Sequence, residues 1–193
     1  MSVIAPKNTD DAEKKPELVG VVEKTVHPML NRPRFLAQTK SNNYLLNVMC
    51  AMDAVRQGST GTFGIWVEEE TDFVIEGAIC SCVFVTHAGC LVTPRFTTAL
   101  EGCTVRRILA LGPNLVQSGV VSSFEQRDIT AAEAKVASAE MFLCGDDTWI
   151  TPVVQWDSTL FGGGTVGPVT REIYRILCEE EALEDSEDHI SIY

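Results

Sequence analysis

Between positions 63 and 93 four short apolar runs follow one another, at 63–67, 73–75, 80–86 and 90–93, each broken by polar or turn-forming residues. Runs of this length, rich in β-branched and aromatic residues, predict strands. Helical patterns flank them. Tyr44, Leu45, Val48, Met49, Met52 and Val55 recur at helical spacing, and Gly58 lies just beyond. A second stretch opens at Thr104 and sets Val105, Ile108, Leu109, Leu115 and Val116 on one face before Gly119; Pro113 is expected to kink or break it. Residues 120–129 predict another strand. Thr130 and Glu133 form a capping box, in which each side chain satisfies a free amide at a helix start. Strands are expected at 141–143 and 150–156, then a Gly162-Gly163-Gly164 turn, then a last helix from Pro168 through Leu177. Such a mixture implies an α/β or α+β domain. With 193 residues, 45% of them hydrophobic, the chain can build one substantial core but is short for two full domains.

The margins are expected to differ from this middle. The first 22 residues are charged and poor in aromatics, so a tail is predicted. Residues 26–35 contain His27-Pro28 and Arg32-Pro33, which favour an extended connector. The stretch 179–187 is acidic and predicted to be solvated. The organisation expected is a tail and connector over 1–38, a folded domain over 39–180, and an acidic tail over 181–193.

Charge and cysteine usage narrow the function. A net charge of −12 excludes a general nucleic-acid binder, which needs a basic footprint. No stretch approaches the roughly 18 consecutive apolar residues of a membrane helix. Residues 8–16 are polar and acidic, unlike a secretory or transit signal. An intracellular protein is expected, cytoplasmic by default; a mitochondrial or plastid address would have to belong to a longer precursor. The seven cysteines are odd in number, form no CxxC pair, and accompany only three histidines. That pattern reads as reduced thiols used as small core residues, with no metal site.

Six motifs in order carry a resemblance to a known family. They are Lys40-Ser41-Asn42-Asn43-Tyr44-Leu45; Val74-Ile75-Glu76-Gly77-Ala78; and Leu100-Glu101-Gly102-Cys103-Thr104, followed by Arg106 and Arg107. Next come Arg127-Asp128-Ile129 with Ala134-Lys135 and Glu140-Met141-Phe142-Leu143; then 151–157; then 164–170. Together, over residues 39–180, they resemble the class IV (fold type IV) pyridoxal-phosphate-dependent aminotransferases, in particular the plant-type, branched-chain-like members. The glycines at 162–167 could suggest a nucleotide loop, but neither a P-loop ending nor GxGxxG is present.

The resemblance implies a large α/β domain with a central barrel-like sheet and flanking helices. It implies pyridoxal 5′-phosphate as cofactor, an amino acid and a 2-oxo acid as substrates, and a homodimer. Lys40 is implied as the catalytic residue, forming a Schiff base with the cofactor and shuttling a proton. As an ordinary residue it would be a surface lysine before a helix. Glu76 is implied to pair with the pyridine nitrogen, and Tyr44 with the phenolic oxygen; Tyr44 could equally be an amphipathic core tyrosine. Cys103 and Thr104 are implied to cradle the phosphate through backbone amides. Thr104 also precedes a helical pattern, whose free amides and dipole favour an anion, although an ordinary Thr N-cap fits the same residues. Arg106 and Arg107 fit surface charges as well as ligands.

Three departures from the family pattern oppose an active enzyme. The stretch before Lys40 is too short for the family's N-terminal domain, and neither Arg32 nor Arg34 matches the arginine that domain supplies to the phosphate. Asp146 and Asp147 occupy a turn where small hydroxyl residues and glycine are usual. At about 6 Å and an effective dielectric near 20, each unit-charge repulsion there costs roughly 3 kcal/mol; Thr148 could serve as a donor instead. Ser81 stands in place of an asparagine, and Val83 in place of an aromatic. Three readings follow: a branched-chain-like transaminase, a non-catalytic homologue that acts as a structural or complex subunit, or a truncated gene product of an active enzyme.

Overall fold

The computed structural model describes residues 17–27, 33–145 and 149–186, with side chains to residue 181. Fifteen elements follow one another among these residues. They are β1 (Val21–Glu23), β2 (Thr25–Val26), α1 (Arg34–Ala37), α2 (Leu45–Arg56), β3 (Ile65–Val67), β4 (Val74–Gly77), β5 (Ser81–Thr86) and β6 (Cys90–Thr93). Then come α3 (Cys103–Gln117), β7 (Ser123–Gln126), α4 (Ala131–Ala137), β8 (Ser138–Cys144), β9 (Ile150–Trp156), β10 (Thr159–Leu160) and α5 (Pro168–Ser186). A short 3-10 turn, Gly162–Gly164, precedes α5.

A seven-stranded sheet runs β1-β9-β8-β5-β6-β7, with β10 beside β9, and a three-stranded sheet runs β2-β3-β4. The alternation of side chains along each strand divides the core. Ile65, Val67 and Val74 of the small sheet pack against Cys82, Phe84, Met141, Val153 and Trp156 of the large one. This closed interior, with Phe84 and Trp156 stacked at 6.2 Å, is the barrel-like centre. Val83, Val85 and Phe142 point the other way, against Val105, Ile108 and Leu115 of α3 and Ile173 and Leu177 of α5. Helix α2 covers the outer face of the small sheet, laying Cys50 and Ala54 on Val26 and Trp66.

Several expectations need correcting. Residues 21–26, expected as tail and connector, supply one strand to each sheet, and residues 34–37 of the expected connector form α1. Strand β1 pairs in parallel with β9. Such pairing uses backbone groups that leave no mark in a three-residue side-chain pattern. Helix α3 continues through Pro113, which sits on its exposed side, so the pyrrolidine ring meets solvent instead of packed side chains. Helix α5 runs past Leu177 to Ser186, so the acidic stretch begins as helix. At α4 the Thr130 hydroxyl accepts from the Glu133 amide at 3.0 Å, but the Glu133 carboxylate turns to Arg127, so half of the capping box forms.

Helix α2 forms where expected, yet buries an unexpected face. Its small residues Cys50 and Ala54 face inward, where they let the helix approach the sheet closely. Leu45, Val48, Met49, Met52 and Val55 remain 42–66% exposed.

Two carboxylates fasten the sheets together. Glu23, fully buried, accepts from Ser59 Oγ at 2.8 Å, the Phe63 amide at 3.2 Å and the Gly64 amide at 2.8 Å. Burial pushes its carboxyl above the ordinary value despite these donors. Asp157 accepts from the Thr25 amide at 2.9 Å and from Lys135 Nζ at 2.7 Å. Burial works against its charge, but Lys135 and Thr25 outweigh that and hold the carboxyl below its usual value.

Candidate active site

A cavity of about 580 Å³ opens between the α1–α2 segment, the β4–β5 turn and the start of α3. Lys40, Tyr44, Glu76, Cys103 and Thr104, all singled out in the sequence, line it together. Its walls also include Leu36, Ile79 and Leu100.

Lys40 sits between α1 and α2, exposed, with Nζ 5.5 Å from the centre of the Tyr44 ring. Tyr44 is the residue on which α2 begins, so the helix start fixes the Lys40–Tyr44 spacing. Asn47, one turn later, donates from its amide to the Ala78 carbonyl. That bond ties the lysine-bearing segment to the turn following Glu76. Asn47 also lines the cavity and was missed in the sequence; an amide in an otherwise apolar helical pattern was the available signal.

Glu76 lies on β4, 6% exposed, and its Oε2 accepts from the Leu100 amide at 3.2 Å. A carboxylate so placed presents charge to the cavity floor without free access to bulk water. Across the cavity, α3 begins after Gly102, whose extended backbone carries no side-chain cap. The first amides of a helix have no intrahelical acceptor, and the residues that carry them here, Cys103 and Thr104, line the cavity. Thr104 is 9% exposed, and none of the described groups hydrogen-bonds its side chain.

Other candidates lie elsewhere. Arg106 pairs with Glu101 at 3.4 Å on the exposed rim, and Arg107 with Glu180 at 2.8 Å, so both act as surface charges. Arg34 is exposed on α1, and no arginine is among the described residues lining the cavity. Cys80, Cys82 and Cys144 are free thiols pushed upward by burial, which keeps them neutral. Val83 belongs to the core. Arg32, Asp146, Asp147 and Thr148 lie outside the described residues.

The family model for amino-transferase class IV matches residues 2–156, more than half of the chain. This chain belongs to that class IV family. The match begins well before Lys40, reaching into the stretch expected as a tail. Among relatives of the class IV chain, a chloroplastic D-amino-acid transaminase of Arabidopsis thaliana is 36% identical over 180 residues. That alignment covers 86% of this chain and 47% of the relative. A branched-chain aminotransferase of Thermoproteus uzoniensis, solved with norvaline, superposes with a TM-score of 0.72 at 24% identity, over 89% of this chain and 54% of that one. The branched-chain amino acid aminotransferase of Thermobaculum terrenum in its PLP form gives a TM-score of 0.71 at 24% identity, over 85% and 52%. These structures show the fold. The chain spans about half the length of the class IV proteins it matches here.

Proposed function

We propose that this class IV chain binds pyridoxal 5′-phosphate in the cavity between α2 and α3 and supports transamination between an amino acid and a 2-oxo acid. The observation that carries this reading is the convergence of Lys40, Tyr44, Glu76, Cys103 and Thr104, from three separate segments, on one cavity. The cavity suits the cofactor chemically: a primary amine, a buried carboxylate and an uncapped helix start with a spare hydroxyl answer the aldehyde, pyridine nitrogen and phosphate.

When bound, the cofactor supplies an electrophilic carbonyl and a ring that delocalises charge from the substrate α-carbon. Lys40 provides the amine that holds it and then moves a proton at that carbon. Glu76 holds a proton on the ring nitrogen, an interaction strengthened by burial. Tyr44 donates to the phenolic oxygen and orients the ring. The Cys103 and Thr104 amides and the Thr104 hydroxyl receive the phosphate, helped by the helix dipole. The Leu36, Ile79 and Leu100 walls favour an aliphatic, branched-chain-like substrate. The D-amino-acid transaminase relative leaves both stereochemical forms to be tried.

We further infer a homodimer formed over α2. Leu45, Val48, Met49, Met52 and Val55 make an uncharged, exposed stripe at helical spacing. Exposed apolar patches of this extent mark interfaces, and a single helical stripe can pair with its own copy about a two-fold axis. An intracellular setting agrees with seven cysteines that form no disulfide, and the chloroplastic relative favours a plastid.

The test is spectroscopic. Protein incubated with the cofactor and freed of excess should absorb near 400 nm (roughly, a property of the lysine-bound cofactor), and D- or L-leucine should bleach that band. A folded protein that stays colourless overturns the enzyme reading and favours a non-catalytic subunit.

A further inference from the structure

We propose that Ser81 is a further phosphate ligand of this site, approaching the start of α3 from the end of the large sheet. The proposal rests on the cofactor reading above and names a residue that this reading does not use. Ser81 opens β5 opposite Cys144 of β8 and lines the cavity. It is 7% exposed, and none of the described groups hydrogen-bonds its hydroxyl. The little exposure it keeps is on the cavity side, where a ligand can reach it.

Its position says what the hydroxyl can reach. A Cβ placed on Gly102 would lie 3.0 Å from Ser81 Oγ, so the hydroxyl stands directly beside the residue that precedes α3. Two nearly buried hydroxyls without protein partners, Ser81 and Thr104, thus flank the same free helix amides. All are donors, and they converge on a space that suits an oxyanion with several acceptor oxygens. Hydrogen bonds from neutral donors to such an anion are the stronger kind. Gly102 is part of the device, because a side chain there would press on Ser81. No arginine is among the described residues lining the cavity, so neutral donors are what it offers an anion at this end.

The experiment compares two ligands that differ only in the phosphate. The full chain, Ser81→Ala and Gly102→Ala are titrated by absorbance with pyridoxal 5′-phosphate and with pyridoxal, after thermal melts establish that each is folded. Ser81→Ala should raise the Kd for pyridoxal 5′-phosphate about tenfold, as loss of one hydrogen bond to a charged group does, and leave that for pyridoxal unchanged. Gly102→Ala should show the same selective loss. Equal weakening of both ligands assigns Ser81 a merely structural part and overturns the proposal, as does an unchanged Kd for the phosphorylated form. A wild type that takes up neither ligand overturns the cofactor reading itself, a result recognisable without any variant.

Discussion

Helices α3 and α5 both begin beside residues of the central strands β5 and β8 of the large sheet, yet their first amides are answered in opposite ways. At α5 the chain supplies its own anion: Glu140, 7% exposed, accepts from the Val169 amide at 3.1 Å, the Thr170 amide at 2.8 Å and Thr170 Oγ at 2.7 Å. A Cβ on Gly167 would fall 2.0 Å from the Glu140 carboxyl carbon, so glycine there makes room for this internal partner. At α3 the corresponding glycine, Gly102, makes room beside the Ser81 hydroxyl, and no described side chain caps the start. A helix start favours negative charge in either case. At α5 the protein fills the position itself; at α3 it leaves the position open to the cavity, where the proposed cofactor phosphate would take it.

The largest effect expected follows from removing the internal anion. Glu140→Ala strands three donors, two of them buried, and should cost about 3 kcal/mol in a denaturant melt, while cofactor affinity of the folded protein stays the same. Loss of affinity in step with stability would mean that the two helix starts are not independent. Thr104→Val probes the open end: about a tenfold weaker Kd for pyridoxal 5′-phosphate is expected with little change in the melt. The reverse pattern, a lower melting point with unchanged affinity, would make Thr104 an ordinary core residue. Thr130→Ala removes a third type of cap, a hydroxyl on α4, and should cost about 1 kcal/mol without touching the cofactor site.

Acid should produce the smallest effect. Asp157 has its carboxyl held below the ordinary value, so its contribution is present above the unfolded value near pH 4 and disappears as pH falls through the lower folded value. The residue is part-exposed, so the contribution is small. Chemical melts between about pH 5 and pH 2 should fall less steeply for Asp157→Asn than for wild type; parallel curves would remove Asp157 from the network.

Much of the site was legible because its chemistry needs particular residue types at short local spacings. Lys40 with Tyr44, Glu76 between apolar neighbours, and Cys103-Thr104 before a helix each survive as a motif. Asn47 and Ser81 were not assigned to the site, since their parts depend on which strand end or turn lies opposite, a tertiary fact. The strand positions at 90–93 and 150–156 followed from apolar runs, whereas β1 escaped because its pairing uses backbone groups alone. The helical stripe on α2 gave the right element and misled about its buried side: closeness to the small sheet selects Cys50 and Ala54, so the bulkier residues turn outward.

The central claim is that Lys40 holds the cofactor in the cavity facing the start of α3, and chemical trapping tests it most directly. Protein equilibrated with pyridoxal 5′-phosphate is reduced with borohydride, digested, and mapped by mass spectrometry. The adduct is expected on Lys40, stoichiometric in wild type and lost in Lys40→Ala. An adduct spread over Lys24, Lys135 and other lysines, or none at all on folded protein, would contradict it.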